Sequence, residues 1–362
     1  MRLDVSAALV DAALLPGDVA LEDGVVTGLG LERGSSAAGI ATPGFVDLQV
    51  NGFAGVDLQT ADAAGFNAVG EALLRAGTTA YMPTFITAPE EQLVAALRSP
   101  PARADGARIL GAHLEGPFIA ATRLGAHDPA GRRDPDPALL GRLLDAGSVR
   151  LMTLAPELPG APALIAALRA RGVTVSCGHS DADEASAAHA FDAGARSVTH
   201  LFNAMPKHGG LAAAALARAD VSVQVIVDGI HVPPERVRET WRATRGRFAL
   251  VSDAVAAAGM GDGEFMLGGT CVHARDGIVR RADGVLAGST LTLREAVVNL
   301  CALGVPLADA LEAATTVPAR IAGLPALGRL TVGERADVLV LDDRLEVVRV
   351  LQAPTCASWP WR

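Results

Sequence analysis

From Pro43 onward the chain repeats one unit eight times: a short apolar, β-branched run followed by a stretch of helical period. The runs fall at Phe45–Val50, Thr78–Met82, Arg108–His113, Val149–Leu154, Val173–Cys177, Ser197–Leu201, Ser222–Val227 and Phe248–Ser252. Between them lie amphipathic segments such as 63–77, 89–98, 137–147, 162–172 and 182–193. Several end in glycine, the residue that best tolerates the left-handed turn closing a helix. Parallel strands need a long crossover between them, and a helix is the usual one. Eight successive βα units favour an α/β fold closed into a (β/α)8 TIM-type barrel over an open doubly wound sheet. Such a barrel carries its chemistry where strands end and βα loops begin.

The two ends of the chain read differently. Residues 1–42 alternate β-type runs with turns, and 336–352 read as two strands around an Asp-Asp-Arg turn. The expectation is a small β-sandwich-like domain built from both termini, 1–42 with 327–362, beside a barrel of 43–326. Glycine-punctuated residues 263–287 read as a β-hairpin insertion ahead of a final helix at Leu291–Leu303.

Composition narrows the function classes. Half of the 362 residues are apolar and a fifth charged, enough for a large core. Only 4% are aromatic and the net charge is −9, which disfavours a nucleic-acid partner. No apolar run reaches membrane-spanning length, no leader pattern opens the chain, and the four cysteines are scattered without a CxxC pair. A cytoplasmic enzyme acting on a small molecule is expected, with a homodimer as the commonest assembly.

Four strand ends carry the chemistry: Glu115 in HLEGPF, His179 in CGHS, His200 in THLFNAM and Asp253 in VSDAV. Two imidazoles and a carboxylate make three protein ligands and leave an open position for water, as a catalytic divalent site requires. A bound ion lowers the pKa of such a water to roughly 7. Asp253 would take the water's proton and pass it to a leaving nitrogen. One divalent ion per chain is expected, with zinc favoured and iron or manganese compatible with the same donors. Strand one ends in VDLQVNG, so Gln49 and Asn51 share a face. Neutral amides are weak zinc ligands, which places these two at the edge of a one-metal site. His113, one pleat below Glu115, reads as a core or supporting histidine.

The motifs PGFVDLQVNG (43–52), HLEGPF (113–118), GAHDP (125–129), CGHS (177–180), THLFNAMP (199–206), VDGIHV (227–232), VSDAVAAAGMGDGEF (251–265), LAGSTLTL (286–293) and GRLTVGERADVLVLD (328–342) run nearly end to end. On these the chain resembles the N-acetylglucosamine-6-phosphate deacetylases of the amidohydrolase superfamily. The resemblance implies hydrolysis of the N-acetyl group of N-acetylglucosamine 6-phosphate, with Glu115, His179 and His200 as metal ligands and Asp253 as proton shuttle. It assigns His231 to substrate binding and carbonyl polarisation. It assigns Ala126, His127, Asn203, Ala204 and the Leu286-Ala287-Gly288 loop to the amino sugar or its phosphate.

One stretch departs from that family. Where its members carry a longer loop with a phosphate-clamping arginine, this chain runs Met205-Pro206-Lys207-His208-Gly209-Gly210-Leu211. Lys207, the single lysine of the sequence, or His208 would then face the phosphate. Lysine does so as a point charge and not as a bidentate fork. The alternative substrates are an unphosphorylated or differently configured N-acetyl sugar. A silent sugar-phosphate binder would keep the pocket without turnover. A Schiff-base aldolase lacks its lysine, since none lies on a strand.

Overall fold

The computed structural model describes residues 1–354; residues 355–362, which include Cys356 and the end of the expected terminal β-domain, lie outside the described residues. Eight parallel strands run β1 Phe45–Val50, β2 Thr78–Ile86, β3 Ala112–Glu115, β4 Val149–Leu154, β5 Thr174–Cys177, β6 Ser197–Val198, β7 Ser222–Val225 and β8 Phe248–Leu250. Each pairs in parallel with the next in chain order, the arrangement of a (β/α)8 barrel. β1 and β2 are buried at every position, as strands covered on both faces must be. The helices between them pack their apolar stripes onto that barrel in one continuous core.

Aspartate N-caps open several of these helices. The carboxylates of Asp62, Asp136 and Asp183 accept from the first-turn amides of Ala63–Arg75, Pro137–Ala146 and Glu184–Ala193. Leu293–Ala302 starts on a full capping box of Thr292 and Glu295.

The barrel closes through a narrow seam. β8 reaches β1 by a single parallel bridge, Val50 with Ala254, where the amides of Asn51 and Gly52 donate to the Ala254 carbonyl at 2.8 and 3.1 Å. Below it, Ser252 donates its amide to Asp47 Oδ1 at 3.3 Å and its hydroxyl to the Gln49 carbonyl at 3.2 Å.

Strands from the two ends of the chain do pair. Ile40–Pro43 lies antiparallel to Val338–Leu341 and parallel to Ala7–Val10, in a five-stranded sheet completed by Ala13–Pro16 and Val347–Leu351. The strands of the N-terminal part therefore pair both parallel and antiparallel. Other expectations shift in detail. The run at 108–113 breaks at Gly111 (φ 111°), and only Ala112–Glu115 continues as β3. The insertion after β8 is a four-stranded antiparallel meander from Gly263 to Ser289, more than a hairpin. The final helix expected at 291–303 is Leu293–Ala302, and Leu307–Ala314 and Thr316–Ile321 follow it. Among the described residues no helix is long and apolar enough to cross a membrane.

Candidate active site

Glu115 ends β3 and is held almost fully buried, with its hydrogen-bonding partners set by the strands on either side. His179 and His200 stand just past the ends of β5 and β6 with φ of 49° and 28°, and Asp253 stands past β8 at 50°. Left-handed backbone is uncommon for residues with a β-carbon and tends to collect at functional sites. Here it turns three side chains inward over the barrel mouth instead of along the strand.

Their donor atoms converge. His200 Nε2 lies 2.7 Å and His179 Nε2 3.0 Å from the same oxygen, Glu115 Oε1, and the two imidazole nitrogens are 3.1 Å apart. Three donors of the right chemistry within 4.8 Å of one another could hold a divalent ion. The tautomers agree: His179 Nδ1 donates to the Arg123 carbonyl at 2.8 Å, leaving Nε2 free as a ligand. His200 Nδ1 is buried without a partner among the described residues.

The set forms the floor of a cavity of about 250 Å³, walled by Asn51, Ala126, His127, Asn203, Ala204, His231, Asp253, Leu286 and Gly288 among others. Burial works against the Glu115 carboxylate, but the imidazoles of His127, His179 and His200 hold it well below its usual range. For Asp253, burial and the charge of Glu115 push the carboxyl up to about 6. A carboxyl poised there can both accept and release a proton near neutrality.

Residues 40–358 match the amidohydrolase family. Human N-acetylglucosamine-6-phosphate deacetylase is 39% identical over 339 residues, covering 87% of this chain and 83% of that protein. N-acetylgalactosamine-6-phosphate deacetylase of Escherichia coli O157:H7 is 36% identical over 325 residues, covering 86% of each. A Mycobacterium smegmatis N-acetyl-D-glucosamine-6-phosphate deacetylase mutant, solved in complex with N-acetyl-D-glucosamine-6-phosphate, superposes with a TM-score of 0.90 at 36% identity, covering 98% of both chains. The chain belongs to the amidohydrolase family.

Amidohydrolases are metal-dependent, and Glu115, His179 and His200 are the residues here that fit the metal. The two amides at the end of β1, Gln49 and Asn51, are engaged otherwise. Gln49 Nε2 donates to both oxygens of Glu115 at 3.1 Å, and Asn51 Nδ2 donates to Asp253 Oδ1 at 2.7 Å. His113 sits below them, fully buried, between the Leu48 carbonyl at 3.0 Å and Thr153 Oγ1 at 2.7 Å. Burial pushes its imidazole down to about 4, so it is a neutral support.

Most of the expected substrate contacts line the cavity; three do not. Ala287 packs away from it into the core of the insertion sheet. Lys207 is also outside the wall, its ammonium donating to the Phe202 carbonyl at 2.6 Å. His208 is exposed on the same loop. Gly288 is required where it stands: at φ 67°, a β-carbon would come within 2.7 Å of the Asp253 carbonyl oxygen.

Three supports are not apparent from the sequence. Asp228 Oδ2 lies 2.6 Å from His231 Nδ1, which aims the other ring nitrogen of His231 towards the cavity. An aspartate three residues before a loop histidine was the available signal. Thr87 fixes His127 Nδ1 at 2.9 Å, and the Arg123 carbonyl serves His179. Those two contacts join residues 40 and 56 positions apart, with nothing local to announce them.

Proposed function

We propose that this protein hydrolyses the N-acetyl group of N-acetylglucosamine 6-phosphate to give glucosamine 6-phosphate and acetate, in amino-sugar catabolism. The observation that carries this is the meeting of three potential ligand atoms, from the ends of β3, β5 and β6, in a cavity that Asp253 also lines. Deacetylases at 36–39% identity over most of the chain support the substrate class.

A single divalent ion, zinc by preference, held by Glu115, His179 and His200 would supply an activated water and polarise the acetyl carbonyl. Asp253 takes the proton as the new C–O bond forms and delivers it to nitrogen as the C–N bond breaks. His231, its tautomer set by Asp228, hydrogen-bonds the carbonyl oxygen as charge develops there. Ala126, His127, Asn203, Ala204, Leu286 and Gly288 hold the sugar. The positive charge for the 6-phosphate comes from beyond Asn203 and Ala204. There Arg236 donates to the Lys207 carbonyl, and burial together with the repulsion of Arg236 and Arg123 lowers the pKa of Lys207. The active assembly is a homodimer in the cytoplasm, and the activity resides in the barrel of 43–326 braced by the terminal strands.

A second reading stays open on a specific observation: among the described residues no lysine or arginine lines the cavity itself. An unphosphorylated N-acetyl sugar would then be the better substrate, and the likeness to an N-acetylgalactosamine-6-phosphate deacetylase supports the galactosamine epimer as a further candidate. Steady-state release of acetate from N-acetylglucosamine 6-phosphate, its galactosamine epimer and the free sugar decides between them. A kcat/KM highest for the phosphorylated gluco sugar supports the proposal. A higher value for either alternative replaces it.

A further inference from the structure

Asn51 is 3% exposed, yet it borders the cavity. Its side chain has one end in use and one end unused. Nδ2 donates to Asp253 Oδ1 at 2.7 Å, a contact that fixes which way the amide faces, because an ionised carboxylate can only accept. Oδ1 is buried with no partner among the described residues. A buried amide oxygen without a donor is costly to leave unpaired, so such groups usually meet a ligand or a water.

The backbone around it is tightly held. The Asn51 amide donates to the Ala254 carbonyl at 2.8 Å, and its own carbonyl accepts from Leu58 at 2.9 Å. Asn51 and Asp253 thus face each other across the seam that closes the barrel, tied by their side-chain bond and by the backbone bond from Asn51 to Ala254, the residue after Asp253. No described residue donates to the second oxygen of Asp253, which leaves that oxygen for the reacting atoms.

Resting on the deacetylase reading, we infer that Asn51 is the positioning residue of the proton shuttle. Its Nδ2 pins Asp253, and its unpaired Oδ1 accepts the N–H of the scissile acetamido group. One carboxamide then sets the distance between the shuttle and the nitrogen it must protonate. No proton is exchanged with Asn51. Water gives its proton to Asp253 as C–O forms, and Asp253 gives it to nitrogen as C–N breaks, with the nitrogen's own N–H held on Asn51. The contact strengthens as nitrogen gains positive charge, so it acts on kcat more than on binding.

The test compares wild type with Asn51→Ala and the isosteric Asn51→Asp, each checked for metal content and melting. Asn51→Ala is expected to lose roughly 10- to 100-fold in kcat, with KM within about threefold, because a charge-assisted contact of about 1.5–3 kcal/mol is removed. Asn51→Asp turns the donor into a carboxylate that must share a proton with Asp253, so the pH at which activity rises moves upward. A readout without turnover uses a matched pair of tetrahedral analogues of the amino-sugar phosphate, a phosphonamidate with its N–H and the phosphonate ester with oxygen there. Wild type should bind the N–H analogue more tightly, and Asn51→Ala should lose that preference. An equal affinity of wild type for both analogues overturns the inference, as does a kcat unchanged in Asn51→Ala. So does metal loss in Asn51→Asp. Absence of turnover in wild type would count against the deacetylase reading instead, and the analogue pair still decides the role of Asn51.

Discussion

The floor and the mouth of this cavity are built on different principles. On the floor, Glu115, His179 and His200 each come off a different strand, each is nearly inaccessible, and Glu115 and His179 are braced by further residues. At the mouth, the lysine of the shortened loop is exposed and folded back onto a main-chain carbonyl, and His208 beside it is exposed. The first arrangement cannot move without disturbing the barrel. The second can be rebuilt by changing a few loop residues. On the proposed function, chemistry would be fixed by packed strand ends and choice of substrate left to a surface loop, the division expected when a rigid scaffold carries variable loops.

If that contrast is right, substitutions on the floor should cost most. Glu115→Gln should lose the metal and with it roughly 10⁴-fold in kcat/KM, taking the ion's contribution as about 5 kcal/mol. Elemental analysis beside kinetics checks both halves, and a metal-replete variant would break the contrast. Asp253→Asn keeps the ligands, so it should retain the ion while kcat falls by roughly 10²–10⁴. Wild-type kcat/KM should rise with pH through about 6, where the Asp253 carboxyl ionises. A flat profile there would remove Asp253 from the rate.

The mouth should respond more weakly. Lys207→Ala should raise KM for the phosphorylated sugar about 10- to 100-fold if one charge-assisted contact is lost, and leave the free sugar unaffected. No change for the phosphorylated sugar would assign the charge to Arg236 or Arg123 and make Lys207 only a brace for Phe202.

The same comparison explains what could be read from residues alone. The eight strands and the candidate site residues at their ends follow from apolar runs punctuated by Glu115, His179, His200 and Asp253, because strand periodicity and donor chemistry are local properties. The Gly111 break in the third run and the meander at 263–289 were less legible, since tertiary packing decides where a glycine-rich run stays paired. Least legible was the mouth. Whether Lys207 faces a ligand or a carbonyl five residues earlier depends on how its loop folds back, which no spacing rule encodes.

The last expected effect falls on stability and not on turnover, and it lies beneath the floor. Asp47 is fully buried, accepting from the amides of Gln49 and Ser252, and burial pushes its carboxyl up to about 7. Its folded value exceeds the unfolded one of about 3.9, so the folded state binds the proton more tightly. That stability is present below pH ~4 and is lost as pH rises towards 7. Asp47→Asn keeps the acceptor and cannot ionise. It should match wild type near pH ~4 and exceed it at pH ~8 by a few kcal/mol at most, since each tenfold difference in proton affinity is worth about 1.4 kcal/mol. Denaturant unfolding at the two pH values measures this, and equal stability at both would mean that Asp47 ionises freely in the fold.

The most direct test is a metal titration of the stripped enzyme with acetate release from N-acetylglucosamine 6-phosphate as readout. Because Gln49 and Asn51 already donate to Glu115 and Asp253, activity should rise linearly with added zinc and level off at one equivalent per chain. Full activity without metal, or a plateau reached only at two equivalents, would contradict the account.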